Sequence, residues 1–528
     1  MAGGFSVLPA SAGADEKAGS GTKILGPAWA RFPILTVGLL GVQILWSVEM
    51  SYASPYLISL GISKSSMAMV FIAGPLSGLF VQPLVGILAD SSTSRWGRRR
   101  PYMLAGCSVA AFSMLLLGYT REFAAVFTGR DTPFNDRLTI WLAVLAIYLA
   151  DFSINAVMSV DRALMVDSLP PSLQAPATAW AARMLGFGGL FGFFVGNLDL
   201  PAILPSFGST ELQVLSVIVA GILVLGHLTT VLLVKEEPFE RPDGQRPPSL
   251  MAELRRLFTS MFSLPRTIQQ ICLIQFFASM GWFPILFYTT MYISDLNARS
   301  VSTSASMGTQ AEIAAQGARL GSRGLFFSAI LSLLTNLFIP YVTRTANTPS
   351  GQRFKVPLTT LWAYSHLVFG ACMLGTFFVT SVNAAIFTIS ITGIPWAVAQ
   401  WAPYSLLGEA ILTSTTPTTT IEAEGNPLLE SPVKDVEHGA AAKLDIGNQA
   451  GLIIGIHNIY CVIPQFIVTI LCAVVFSIFE GPESSASLTA AADLEVRPNS
   501  VVYIFRLGAL WSFVAFRICR RLGRELGR

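Results

Sequence analysis

The sequence predicts an all-α membrane protein with twelve transmembrane helices in two six-helix halves. Charged residues make up 12% and hydrophobic residues 52% of the 528 residues, whereas a soluble domain carries roughly 25% charged residues. The mean hydropathy is +0.59. A single soluble core of ordinary size does not bury so much apolar surface. A helical bundle embedded in lipid accounts for this composition.

The second observation is the spacing of the apolar segments. A helix needs about 20 residues to cross roughly 30 Å of hydrocarbon. Twelve segments meet this length, at 33–54, 66–89, 101–120, 139–160, 179–198, 212–234, 269–292, 324–343, 357–380, 384–408, 450–478 and 501–519.

Two long polar segments, after the sixth and the tenth span, set the domain organisation. We predict, in order, a disordered cytoplasmic tail (1–32), an N-terminal half (33–234), a cytoplasmic linker (235–268), a C-terminal half (269–519) with a disordered cytoplasmic loop (410–448), and a basic tail (520–528). Halves of this kind commonly arise by duplication and hold their substrate near the midplane.

The third observation is the basic loop between the second and third spans, which contains Arg95, Arg98, Arg99 and Arg100 after Asp90. Arginines beside spanning helices stay cytoplasmic, which places both termini in the cytoplasm. These groups can pair with neighbouring helices in one conformation and release them in another, as a gate does. The alternative is that the arginines only set orientation. We assign three further acids to the gate, namely Asp161, Asp167 and Glu409.

The fourth span carries the most informative polar residues. At 3.6 residues per turn, Asp151, Asn155 and Arg162 share one stripe of the helix. A carboxylate inside a span costs about 2.5–3.5 kcal/mol and usually faces a cavity or a partner. Asp151 therefore suits reversible protonation, and the fork of Arg162 suits binding of hydroxyls or a carboxylate. The alternatives are a helix-packing hydrogen bond for Asp151 and a cytoplasmic anchor for Arg162.

Twelve spans and this loop resemble the major facilitator superfamily. The ordered motifs around Asp151, the arginine loop, Gly281–Pro284 and Asn458–Gln465 are similar to the sucrose/proton symporters of plants and their fungal and animal relatives. The resemblance implies that Asp151 couples the proton and that Arg162 is needed for sugar transport. Glu49 and Glu409 depart from the plant pattern and resemble the fungal and animal branch, so maltose, glucose and galactose stay open beside sucrose.

Sugar recognition needs polar groups for hydroxyls and aromatic faces for the ring, in a mostly apolar cleft. Beside Asn155 and Arg162, the residues with suitable chemistry and spacing are Trp46, Glu49, Gln275, Trp282, Trp396, Gln400, Asn458 and Gln465. Any single aromatic here has lipid contact or packing as its alternative role.

We expect a proton-coupled symporter of sucrose or another α-glucoside such as maltose. The alternatives are a monosaccharide/proton symporter and, from another class, a membrane sugar sensor that does not transport. Motifs for an enzyme, a metal, a cofactor or a nucleic-acid partner are absent from the sequence. The six cysteines are expected to be free thiols. We expect a lipid-embedded monomer in the plasma membrane; a dileucine pattern at 424–429 leaves a vacuolar or endosomal membrane as the alternative.

Overall fold

The computed structural model describes residues 22–90, 92–130, 132–169, 171–236, 251, 255, 259–303, 309–344, 356–415, 450–480 and 499–527. Most of the predicted N-terminal tail and the dileucine pattern lie outside these ranges. The predicted loop at 410–448 begins inside a helix that continues to Thr415, and residues 416–449 are outside the described part.

The described chain is helical apart from short strands and turns. The helices are α1 Arg31–Ser59, α2 Lys64–Val70, α3 Ala73–Leu76, α4 Gln82–Asp90, α5 Arg100–Gly118, α6 Thr120–Thr128, α7 Pro133–Ser168, α8 Pro171–Val195, α9 Leu200–Ile203, α10 Glu211–Leu233, α11 Arg266–Thr303, α12 Gln310–Val342, α13 Leu358–Gly375, α14 Val382–Ile391, α15 Gly393–Thr415, α16 Ala450–Glu480 and α17 Ser500–Glu525. The strands are β1 Lys23–Ile24, β2 Val234–Lys235, β3 Thr343–Arg344 and β4 Val356–Pro357.

Membrane-spanning length confirms the predicted helix pattern. Among the described residues, eleven stretches of helix are long and apolar enough to cross a bilayer. The remaining predicted span, 179–198, overlaps α8, whose apolar stretch Trp180–Val195 is shorter. Large apolar side chains such as Phe187 and Leu225 are more than half exposed on these helices, as a lipid-facing surface requires.

The chain separates into two compact units. One contains the described residues of Met1–Ala53 and Leu76–Pro248, and the other those of Ser54–Pro75 and Ser249–Arg528. The end of α1, all of α2 and most of α3 thus belong to the second unit. Within that unit, Lys64 Nζ lies 3.0 Å from Asp295 Oδ2, and Ser54 Oγ donates to the Phe287 carbonyl at 2.6 Å.

Two predicted spans are interrupted helices. The second span consists of α2, α3, a π-helical turn at Ser77–Val81, and α4. The tenth is divided between α14 and α15. At this second break a Cβ on Gly393 would lie 2.0 Å from the Ser328 carbonyl oxygen of α12. Only glycine allows the two backbones to approach so closely.

The glycines of α8 bring it close to α1. A Cβ on Gly188 would lie 2.6 Å from the Leu40 carbonyl oxygen, and one on Gly192 would lie 2.7 Å from Ser47 Cβ. Small residues at this spacing let membrane helices gain van der Waals contact. This stripe of α8 is a packing surface.

Antiparallel pairing of β1 with β2 joins the chain before α1 to the chain after α10, with Lys23 opposite Lys235. The last part of the predicted disordered tail therefore has defined secondary structure, since β1 and the 3₁₀ turn Ala28–Ala30 precede α1. All six cysteines are free, as predicted.

Candidate functional site

Two buried acids lie close together in the first unit. Asp151 on α7 and Glu49 on α1 are each 4% exposed, and their carboxyl groups are within electrostatic range of one another. Asp151 Oδ2 and Glu49 Oε1 have no hydrogen-bond partner among the described residues. A buried oxygen without a donor is costly, and the cost is greatest when the group is charged. These acids are therefore chemically suited to take up a proton.

Two polar side chains of the interrupted second span, Ser77 and Gln82, contact α7 near Asp151. The Asp151 carbonyl oxygen accepts from Ser77 Oγ at 2.9 Å and from Asn155 Nδ2 at 2.9 Å. Asn155 Oδ1 in turn accepts from Gln82 Nε2 at 2.7 Å. The π-helical turn supplies Ser77 and ends just before Gln82, so the helix irregularity places both side chains against α7.

The predicted stripe of α7 does not have one environment along its length. Asp151 and Asn155 are buried, whereas Arg162 is exposed. Eleven residues of α-helix span about 16 Å, so Arg162 does not contact Asp151. Trp46, one turn before Glu49 on α1, is half-buried.

The arginine loop is fixed to the end of α7. Arg98 Nη2 and Arg99 Nε each lie 2.8 Å from Asp167 Oδ2. The Arg99 side chain is only 6% exposed, while Arg95 is exposed. Arg98, Arg99 and Asp167 thus form one cluster.

Glu236, just after β2, caps the start of α5. Its carboxylate accepts from the backbone N–H of Arg99 at 3.0 Å and of Arg100 at 2.9 Å. Burial raises the pKa of the Glu236 carboxyl, and the two N–H groups act against that shift. The carboxylate lies over Gly97, whose φ of +98° is a conformation that favours glycine.

The other predicted gate residues lie apart from this cluster or outside the described part. The Asp161 carboxylate is 3.2 Å from His227 Nε2 and not beside the arginine loop. Glu409 is half-buried on α15. The side chain of Asp90 is outside what the structure describes.

In the second unit, predicted aromatic residues meet. The ring centroids of Trp282 on α11 and Trp396 on α15 are 4.9 Å apart, in an edge arrangement. Trp282 also lies 4.3 Å from Phe369 of α13. Trp282 is buried and Trp396 half-buried, so Trp396 offers the more accessible ring.

The predicted amides of the second unit have different environments. Gln275 is half-buried, and its Oε1 has no partner within the described chain. The Gln275 side chain is also within hydrogen-bond range of the Cys461 thiol. Gln465 donates to the Cys461 carbonyl at 3.0 Å. Gln400 is exposed and Asn458 half-buried. α11 and α16 thus bring Gln275 close to the helix that carries Asn458 and Gln465.

Three polar residues near the candidate site were not identified from the sequence, namely Gln82, His227 and Glu236. Gln82 is an amide in an apolar span and His227 is a titratable group in another, so both carried a signal. Glu236 follows the sixth span directly, but its target is more than 130 residues earlier in the chain, and no local pattern indicates it.

Comparison with known proteins agrees with this architecture. The family model described as "MFS/sugar transport protein" matches residues 34–415. The chain is 32% identical to the general alpha-glucoside permease of Schizosaccharomyces pombe, over 92% of each chain. It is 26% identical to the sucrose transport protein SUC4 of Arabidopsis thaliana, over 86% of this chain and 85% of that protein.

A solved structure supports the fold. A bacterial homologue of the human lysosomal transporter Spinster, inward-facing and occupied, matches with a TM-score of 0.56 at 13% identity, over 93% of this chain and 96% of that one. The relatives are transporters and not enzymes. The chain is a multi-pass membrane protein that belongs to the MFS/sugar transport protein family of the major facilitator superfamily.

Proposed function

We propose that the protein is a proton-coupled symporter of α-glucosides, with maltose and sucrose as its substrates, that works by alternating access. The observation that carries the proposal is the buried carboxyl group of Asp151, with one oxygen unpaired in the described structure and Glu49 close by. The α-glucoside permease of Schizosaccharomyces pombe and the sucrose transport protein of Arabidopsis thaliana, to which the chain is similar, support the substrate class.

Asp151 is the proton-coupling residue. A charged carboxylate without donors is poorly stabilised inside a membrane protein, whereas the protonated acid is neutral and donates a hydrogen bond. Asp151 binds a proton on one side of the membrane and loses it on the other. The charge of Asp151 is thus coupled to the side from which the carboxyl group is accessible.

Each unit offers its own set of groups for a sugar. In the first unit these are Trp46, Glu49, Asn155 and Arg162. In the second they are Gln275, Trp282, Trp396, Gln400, Asn458 and Gln465. Carboxylate and guanidinium groups make charge-assisted hydrogen bonds to hydroxyls, and the half-buried ring of Trp396 offers an apolar face.

The arginine cluster acts as a gate. Arg98, Arg99, Asp167 and Glu236 tie the loop before α5 to the ends of α7 and α10, and we assign Asp90, Arg95, Arg100 and Glu409 supporting parts in the same device. Asp161, which was predicted to belong to it, contacts His227 instead. The positive charge of this loop supports a cytoplasmic position for the loop and for both termini. The β1–β2 pairing supports a common side for the N-terminus and the linker. The protein works as a monomer in the plasma membrane.

Purified protein in liposomes tests the proposal. An inward proton gradient is imposed, and uptake of labelled maltose, sucrose, glucose and galactose is compared. We expect maltose or sucrose to accumulate and an uncoupler to abolish accumulation. Accumulation of monosaccharides alone identifies the alternative symporter, and sugar binding without any uptake identifies a sensor.

A further inference from the structure

A second buried acid on α7 has a partner that the proton mechanism does not use. His227 of α10 is fully buried and Asp161 of α7 is 4% exposed, with 3.2 Å between Nε2 and Oδ2. Four helices meet here. α1 contributes Gly38, where a Cβ would lie 2.7 Å from Nε2, and α5 contributes Cys107, whose thiol donates to the Leu223 carbonyl at 3.6 Å.

The hydrogen bonds determine how many protons the pair holds. His227 Nδ1 lies 2.8 Å from the Leu223 carbonyl oxygen, which only accepts, so Nδ1 carries a hydrogen. Nε2 faces a carboxylate oxygen, and a second hydrogen is needed between them. The pair is thus either imidazolium with carboxylate or neutral imidazole with carboxylic acid. Loss of this proton would set a nitrogen lone pair against a buried negative charge.

The environment of the pair differs from that of Asp151. Asp151 has an oxygen without a donor, whereas both ring nitrogens of His227 have oxygen partners. Within the described residues, the titratable groups that face the ring are Asp161 and Cys107. Since the pair is buried and both ring nitrogens have hydrogen-bond partners, it keeps its proton during the transport cycle. Its role is to hold α7, α10 and α1 together.

The contact between Asp161 and His227 also affects Arg162, the next residue along α7. Asp161 is fixed against α10, and Arg162, turned by about 100° around the helix, is exposed. Arg162 shares its stripe with Asp151. The contact of Asp161 with α10 fixes the orientation of α7 about its axis, and this orientation sets the direction in which the guanidinium of Arg162 points.

Building on the proposed function, we propose that Asp161 and His227 are a positioning pair: they hold α7 so that Arg162 meets the sugar, and they do not carry the transported proton. Asp161→Asn keeps a donor for Nε2 of a neutral His227, whereas Asp161→Ala removes the contact.

Maltose uptake is measured in proteoliposomes over a range of pH for both variants, the wild type and Asp151→Asn. Because a misplaced Arg162 loses its charge-assisted hydrogen bond to the sugar, we expect KM to rise by about tenfold or more in Asp161→Ala, with kcat nearly unchanged. Asp161→Asn should rescue KM to within about threefold of the wild type. Asp161→Ala and Asp161→Asn should both keep the pH profile and the accumulation ratio of the wild type.

A glycine variant covers the case in which Asp161→Ala does not fold. Gly38→Ala leaves both members of the pair in place but puts a methyl group 2.7 Å from His227 Nε2. It should raise KM in the same way. Gly221→Ala on α10, where a Cβ meets nothing within 4 Å, is the matched control and should not.

The outcomes separate this inference from the proposed function. Failure of the wild type to accumulate any α-glucoside overturns the proposed function, while maltose affinity measured by binding still tests the pair. Loss of accumulation with retained exchange in Asp161→Asn makes the pair a proton carrier and overturns the inference. Wild-type KM in both Asp161→Ala and Gly38→Ala also overturns it.

Discussion

Asp151 of α7 and Glu49 of α1 are two carboxyl groups, each 4% exposed, that lie within electrostatic range inside one unit. Two buried like charges repel each other, so the pair favours a state in which at least one acid is protonated. The remaining acid is then free to accept hydrogen bonds from a sugar. We propose that Asp151 carries the transported proton and that Glu49 binds the sugar.

Neutralising Glu49 should weaken sugar affinity and preserve coupling. A hydrogen bond to a charged group is worth about 1.5–3 kcal/mol, so KM for maltose in Glu49→Gln should rise at least about tenfold. Accumulation against a gradient should survive because Asp151 is intact. The control is Asp136→Asn, which neutralises a 60%-exposed side chain on α7 and should change neither quantity. An unchanged KM with lost accumulation in Glu49→Gln would reverse the two roles.

Removing Arg99 should destabilise the protein far more than removing Arg95. Arg99 is buried and paired with Asp167 at 2.8 Å, and Arg95 is exposed. Arg99→Ala should cost about 2 kcal/mol of stability and slow sugar exchange, whereas Arg95→Ala should leave stability unchanged and slow exchange much less. Thermal unfolding of the purified variants and counterflow assays measure both effects. Equal behaviour of the two variants would reduce the loop to a topology signal.

The contact between α8 and α1 predicts opposite effects for adjacent glycines. In Gly188→Ala the new methyl group would lie 2.6 Å from the Leu40 carbonyl oxygen, and in Gly189→Ala its nearest contact is 3.6 Å away. The first substitution should destabilise by about 1–3 kcal/mol through overpacking. The second should be neutral or add up to about 1 kcal/mol through helix propensity. The unfolding temperatures of the two variants give the comparison, and destabilisation by Gly189→Ala alone would be incompatible with the packing described.

The apolar spans and the stripe of Asp151 and Asn155 were predictable because each depends on residues close in sequence. Length and hydropathy determine a span, and helical periodicity determines a stripe. Arg99 and Asp167 have opposite charges, so an ion pair between them is consistent with the sequence.

Contacts between distant segments were not predictable in the same way. His227 is 66 residues from Asp161, and Glu236 is 136 residues from Arg100. Their pairing depends on how whole helices pack. The π-helical turn at Ser77–Val81 and the break before Gly393 are tertiary effects as well, since close contacts with α7 and α12 accompany them.

The exposure of Arg162 shows where periodicity stops being informative. Arg162 and Asp151 share a stripe, but the neighbours packed against that stripe change along α7. The sequence therefore indicated the same face for both residues, and only the packing of α10 and α1 at Asp161 distinguishes the two ends.

The most direct test of the proton-coupling role is the behaviour of Asp151→Asn in proteoliposomes under an inward proton gradient. The wild type should accumulate maltose, take up protons with it, and slow as the pH rises. Asp151→Asn should still exchange maltose across the membrane but neither concentrate it nor respond to pH. Accumulation of maltose by Asp151→Asn at the wild-type ratio would contradict the assignment of Asp151.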